Sequence, residues 1–265
     1  MSFTGLNFVF DGVSSEKYGL ILCNFGSTTQ KAGQVGSKLS ILEDRIPRRH
    51  IGVHYGTKDN EAKEFPLVMM VSDDNRCLDR YDIAGVAGWL TGHQDYKELT
   101  ILQPDMEGVF YRCLISGLEQ VENGMRTVGF VATVTCDGPH AYRRMAPTTI
   151  DVSGETTLMY RNHSNVNSYY RPGIAVSCAG TSFSIENASD GSVFCLDGMP
   201  DGERMIYIDA ANQVMTSSDG INLYQYWNNG INKYFPRFVR GDNHLVINGT
   251  GTLTIGNVFP WNVGN

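Results

Sequence analysis

Apolar and polar residues alternate along most of the chain in short runs closed by glycine, asparagine or aspartate. Such runs predict β-strands separated by turns. Leu6, Phe8 and Phe10 alternate and stop at Asp11-Gly12. "YGLILCNF" supplies a second strand, and "KLSILEDRIPRRHIGVHYG" holds further strand material interrupted at Pro47 and Gly52. The unbroken apolar run "EFPLVMMV", Glu64 to Val71, predicts a buried strand. "KELTILQ", "GVFYRCLISGLEQVE" and "MRTVGFVATVTCDG" follow, joined by Pro-Asp and Asn-Gly turns.

One segment departs from this period. "DDNRCLDRYDIAGVAGWLTG" spaces Leu78, Ile83, Val86, Ala87 and Leu90 three and four apart, which predicts a helix. Asp73 or Asp74 is placed to cap its start and Gly92 to end it. Gly85 and Gly88 each weaken such a helix by about 1 kcal/mol relative to alanine. Their retention implies close packing on a sheet.

After a junction at "GPHAYRRMAP", Gly138 to Pro147, the pattern is almost wholly strand. "RPGIAVSCAG", "TSFSIENAS", "SVFCLDGMP", "RMIYIDAAN", "QVMTSSDG", "NLYQYW", "HLVING" and "TLTIGN" recur at about ten-residue spacing, as in an antiparallel sandwich. Within "FVRGDNHLVINGTGTLTI" the adhesion tripeptide Arg240-Gly241-Asp242 reads as turn chemistry, because glycine, aspartate and asparagine stand between apolar strands. Asn248-Gly249 predicts a final hairpin.

The chain has 265 residues, enough for one large or two small domains with a real core. The pattern divides it into 1–140 and 141–265. Of the net charge of −7, the first part carries −5 (13 basic, 18 acidic residues) and the second −2 (8 and 10). Neither has the basic stripe of a nucleic-acid binder. The N-terminus lacks the pattern of a signal peptide, no apolar run approaches membrane-spanning length, and synthesis without export by the usual route is expected. The six cysteines show neither CxxC nor zinc-ligand spacing. They read as buried reduced thiols, with Cys178–Cys195 as the one pair to test for a bridge.

No motif for a nucleophile elbow, a zinc protease, a phosphate loop or a dinucleotide fold is present, so no enzyme, cofactor or metal is expected. His50 and His54 share a strand face but lack further ligands. Glu186, Asp197 and Asp209 are the candidates for paired glycosidase carboxylates, and each also suits a turn. Tyr224, Tyr226 and Trp227 could stack on a sugar or pack inward. "RIPRRH", Arg45 to His50, is the strongest local charge feature and reads as an exposed hairpin or a subunit contact to an acidic neighbour.

In order along the chain, "FVFDGVSSEKYGLIL", "IAGVAGWLTG" with Trp89-Leu90, "TCDGPHAYR", "FSIENASDGSVFCL", "MIYIDAANQVM" and "YFPRFVRGDNHLVINGTGTLTI" resemble the distal tail (Dit) proteins of bacteriophages with long, non-contractile tails. In the last of these, Gly241 and Asn243 carry the match. The chain departs at one turn, with Ile46-Pro47-Arg48-Arg49 where family members often have a Val-Pro-Gly-Arg-like sequence.

The resemblance implies a mainly β protein. Residues 1–140 would be a ring-forming β-sandwich or barrel-like domain with one helix and a long hairpin. Residues 141–265 would be a galectin-like antiparallel sandwich. It implies a homohexameric ring at the virion's tail tip, made in the host bacterial cytoplasm, with DNA only passing through the channel and no membrane contact. The implied partners are the tail tube protein, the tail hub or tail-associated protein and the tape-measure protein, with a receptor-binding protein as a further candidate. Arg45, Pro47, Arg48 and Arg49 are the subunit-interface candidates. The competing reading is a carbohydrate-binding sandwich used in host-surface recognition. His163 and Asn165 match the start of a galectin sugar site, but its Arg and Trp–Glu parts do not follow.

Overall fold

A computed structural model describes residues 7–23, 39–45, 47–48, 50–59, 62–73, 77–227 and 234–263. In chain order the strands are β1 Phe8–Phe10, β2 Val13–Ser14, β3 Leu20–Leu22, β4 Leu39–Asp44, β5 Val53–Asp59, β6 Glu64–Val71, β7 Lys97–Ile101, β8 Val109–Asn123, β9 Arg126–Cys136, β10 Ala141–Asn162, β11 Gly173–Ala179, β12 Phe183–Asn187, β13 Ser192–Leu196, β14 Glu203–Asp209, β15 Val214–Ser217 and β16 Gly241–Trp261. The one α-helix among the described residues, α1, spans Arg80–Thr91. Contacts divide the chain into two units, Met1–Tyr142 with Trp261–Asn265, and Arg143–Pro260.

In the first unit the antiparallel order is β2-β1-β7-β8-β9-β6-β3. Strand β6 buries Phe65, Leu67, Met69 and Val71 but only half-buries Val68 and Met70 and exposes Pro66. The unbroken apolar run is therefore a one-face strand rather than a fully buried one. Trp89 joins the helix to the sheet. Its ring stacks on Phe8 at 5.5 Å and Tyr18 at 4.8 Å, and its Nε1–H donates to the Phe10 carbonyl at 3.0 Å. Trp261 and Val263 complete this core from the far end of the chain.

The helix begins later than the apolar spacing predicts. Asp79, not Asp73, is the cap; Asp74 lies outside the described residues. The Asp79 carboxylate accepts from the amides of Tyr81 and Asp82 at 2.8 Å, and Asp82 returns the bond to the Asp79 amide at 3.3 Å. This capping box satisfies N–H groups the first turn cannot pair. Leu78 and Ile83 occupy the positions of a hydrophobic staple, so Leu78 lies outside the helix it seemed to start. Gly92 ends the helix as expected. The glycines need a different account. A Cβ at Gly88 would meet nothing within 4 Å, and one at Gly85 would make only ordinary contact with Tyr18. Close packing does not require either.

In the second unit one sheet runs β15-β14-β11-β16-β10, and β12 pairs β13 and the first part of β16. Phe183, Phe194, Phe238, Phe259, Ile206, Ile247 and Leu253 fill the core. Two expectations fail here. "NLYQYW" is not a strand: Leu223–Gln225 form a 3-10 turn, started by the Asn222 side chain accepting from Tyr224 N. The final hairpin is also absent. β16 runs without reversal, pairing Leu245–Asn248 with β12 and Gly251–Ile255 with β11. Its glycines Gly249 and Gly251 have φ of 148° and 138°, positive values that L side chains rarely adopt but that are not those of a tight Asn-Gly turn. A strand that bends between two partners serves as a corner of the sandwich.

The start of β16 is fixed by a buried amide pair. Asn243 is fully buried. Its Oδ1 accepts from Val239 N at 2.9 Å and Asn187 Nδ2 at 3.0 Å, and its Nδ2 donates to the carbonyls of Val239 at 2.9 Å and Gly241 at 3.0 Å. Asn187 Nδ2 also donates to the Arg237 carbonyl at 3.1 Å, and Asn187 Oδ1 accepts from Ser189 N at 3.1 Å. Gly241, with φ of 88°, takes the conformation that its neighbours cannot easily adopt. Arg240-Gly241-Asp242 is thus the lip of a turn clamped from below.

All six cysteines are free, so Cys178 and Cys195 are not bridged; Cys113, Cys136 and Cys178 are buried, but Cys77 is exposed and Cys23 and Cys195 are only half-buried. Cys178 on β11 faces Arg204 and Gly251, whereas Cys195 on β13 faces Ser184.

A Cβ on Gly251 would fall 1.6 Å from the Ser177 carbonyl oxygen. Gly251→Ala must therefore separate β16 from β11 and is expected to cost about 3 kcal/mol or more in denaturant unfolding. Unchanged stability would contradict the continuous-strand register.

Candidate assembly interface

Strands β4 and β5 form a two-stranded sheet of their own. Leu39 pairs with Asp59 and Asp44 with Val53, with a bulge that leaves Tyr55 unpaired opposite Leu42 and Glu43. A lone two-stranded hairpin is marginally stable in water. This one also carries unusual apolar exposure: Ile41 is 64% exposed, Leu42 46%, Ile51 83% and Tyr55 65%. Four large apolar side chains on a ribbon that pairs with no other strand among the described residues make a surface suited to burial by another protein.

Arg45 lies at the end of β4, its Nε 3.3 Å from Glu43 Oε1. With the Arg45 side chain 85% exposed, that pair contributes little stability. Pro47 and Arg48 stand exposed in the following turn, and Arg49 lies outside the described residues. Arg48 has φ of 72°, a left-handed value that glycine adopts at no steric cost. It stands where the resembled family often has glycine, so the turn keeps a glycine-like backbone despite the substitution.

The other sequence candidates do not converge. Among the described residues no three His, Cys, Asp or Glu side chains are grouped to hold a metal, and His50 and His54 are exposed. Glu186 pairs with Val193, and Asp197 lies four strand positions beyond Val193. That separates their backbones by about 13 Å along the strand, too far for the close carboxylate pair of a retaining glycosidase. Asp209 is occupied in its own turn, accepting from Ala211 N, Asn212 N and Asn212 Nδ2. Trp227 packs edge-on to Phe235 at 4.8 Å, and Tyr226 also packs on the second core. Tyr224 is half-exposed, but its hydroxyl is tied to Met215 N and the Gln213 carbonyl. His163 sits edge-on to Phe259. These side chains hold the sandwich together. No helix among the described residues is long and apolar enough to cross a membrane.

Residues 3–138 match the family described as the phage tail protein N-terminal domain. The chain belongs to that family. No curated protein matches this tail protein. The Dit protein of phage SPP1, described as a paradigm of the hub adsorption apparatus in phages infecting Gram-positive bacteria, matches in structure with a TM-score of 0.70 at 13% identity. That alignment covers 97% of this chain and 100% of the SPP1 protein. A chain of the phage P2 baseplate in its activated conformation with Ca matches with a TM-score of 0.55 at 9% identity, over 96% of this chain and 98% of that one. The same baseplate with Sr gives 0.53 at 10% identity, over 95% and 97%. The tail protein therefore shares the Dit fold along its whole length.

The exposed apolar residues were legible as residues but not as a site. Ile41 and Tyr55 were readable as strand residues, but that no other strand among the described residues pairs with β4 or β5 was not. Replacing Arg48 with glycine removes a left-handed non-glycine residue, a conformation costing about 1 kcal/mol. Arg48→Gly is expected to slow amide exchange across β4 and β5 by several-fold; faster exchange would contradict the turn geometry.

Proposed function

We propose that this chain is the distal tail protein of a phage with a non-contractile tail. It assembles as a homohexameric ring at the tail tip. The ring joins the tail tube to the tail hub and the host-adsorption apparatus, and the tape-measure protein is a further partner. The observation that carries the reading is full-length agreement with the Dit fold in a chain whose first half belongs to a phage tail family. On this reading residues 1–140 form the ring, and residues 141–265 form a galectin-like sandwich to which a receptor-binding protein attaches. The protein acts by assembly in the virion and catalyses no reaction.

The β4–β5 hairpin supplies the subunit contact. A ring needs a heterologous interface whose two halves lie on different parts of one subunit. An unsupported ribbon can add to a neighbour's sheet edge and bury its apolar residues there. Arg45, Pro47 and Arg48 lie at its turn, and these three together with Arg49 are the residues proposed to meet the neighbour first. The net negative charge suits a channel that DNA crosses without sticking, since like charges repel.

The test is mass in solution. The wild-type chain is expected to reach hexamer mass as concentration rises. Ile51→Asp with Tyr55→Asp is expected to stay monomeric with an unchanged melting temperature. A double variant that assembles like wild type would remove the hairpin from the interface.

A further inference from the structure

Cys113 and Cys136 face each other across β8 and β9, and both are fully buried. The hydrogen bonds around them fix the type of pair. Asp137 N donates to the Arg112 carbonyl at 2.9 Å, which puts the ladder bond on the Arg112–Asp137 position. Cys136 N turns the other way and donates to the Lys63 carbonyl at 2.9 Å. Cys113 and Cys136 are therefore a non-hydrogen-bonded antiparallel pair. In such pairs the Cα atoms lie about 4.5 Å apart and the side chains approach more closely than in bonded pairs. A disulfide spans Cα separations of about 4.4–6.8 Å, so this position can hold one without moving the backbone.

We propose that Cys113 and Cys136 form a redox latch, open as free thiols in a reducing compartment and closed as a cross-strand disulfide under an oxidising thiol–disulfide pool. The closed latch would staple the β8–β9 hairpin at its base. The oxidant is a small disulfide such as oxidised glutathione. The Cys136 thiolate attacks one glutathione sulfur and releases one reduced glutathione. Cys113 then attacks the Cys136 sulfur and releases the second. One sulfur–sulfur bond breaks and one forms, two electrons pass from the protein to glutathione, and both thiol protons leave with it.

The surroundings make the latch slow in the native fold. Burial, then the Asp137 carboxylate, pushes the Cys136 thiol up to about 12 against the opposing Lys63 charge. Burial chiefly, with Cys136 and Asp137, raises Cys113 as well. Both remain protonated at neutral pH, and the thiolate is the reactive form. Closure therefore proceeds through opened or refolding chain. For a tail protein, closure would follow release from the host cytoplasm. That timing rests on the function proposed above; the bond chemistry does not.

The test uses the full chain, unfolded in guanidinium and refolded with either reduced or oxidised glutathione. Free thiols are then alkylated and mapped by mass spectrometry. Refolding with oxidised glutathione is expected to give native circular dichroism, two fewer alkylated thiols and a linked peptide joining Cys113 to Cys136. It should also raise the melting midpoint by roughly 5 °C. Cys113→Ser is expected to leave Cys136 as an unresolved mixed disulfide with glutathione, with no peptide linked to it. The latch is overturned if both thiols alkylate fully in natively refolded chain, if the link maps to other cysteines, or if the linked chain lacks the native spectrum.

Discussion

Two buried side-chain amides govern the second half of the molecule. Asn187 ends β12, Asn243 lies near the start of β16, and the bond between them sets where those strands meet. Asn243 uses both amide atoms twice, so Val239 and Gly241 bring main-chain groups into the interior without leaving them unpaired. An unsatisfied buried group costs about 1–3 kcal/mol, which makes such a network demanding about identity and position. Once it is set, the register of β16 follows. That register places Gly251 under Ser177, where no side chain fits.

The first unit depends on a different kind of anchor. Trp89 spends both ring faces on aromatic neighbours and its single donor on a strand carbonyl. The helix is short and holds two glycines, so tertiary packing rather than intrinsic propensity supports it. Its capping box compensates in part at the N-terminus. The sheet beneath is well covered, and this throws the β4–β5 ribbon into relief. On the ribbon four large apolar side chains are exposed together.

Much of the strand content was legible because burial on one face leaves alternation in the sequence, as in β1, β9 and β11. The misses have physical causes. Asn248-Gly249 matches a hairpin signal, but glycine there permits close approach of a neighbouring strand rather than a left-handed turn. Leu78 fits the helical spacing because a staple residue packs on the helix from outside it. β10 was overlooked because its polar, threonine-rich sequence lacks a clear apolar face, and its order comes from neighbours such as Asn257, which donates to the Ala146 carbonyl. The motif asparagines were visible as a family pattern, yet their joint burial in one network was not. The Arg45–Arg48 turn was visible as charge, while the adjacent apolar ribbon required knowledge of which sheets it does not join.

The central claim is that this chain is a ring subunit at the tip of a phage tail. Electron microscopy of the phage that encodes it, decorated with antibody against the folded chain, tests that most directly. The account predicts label at the end of the tail distal to the capsid, with six-fold averaging of that segment showing a ring. Label on the capsid, label spaced along the tail tube, or particles that carry none of this chain would contradict it.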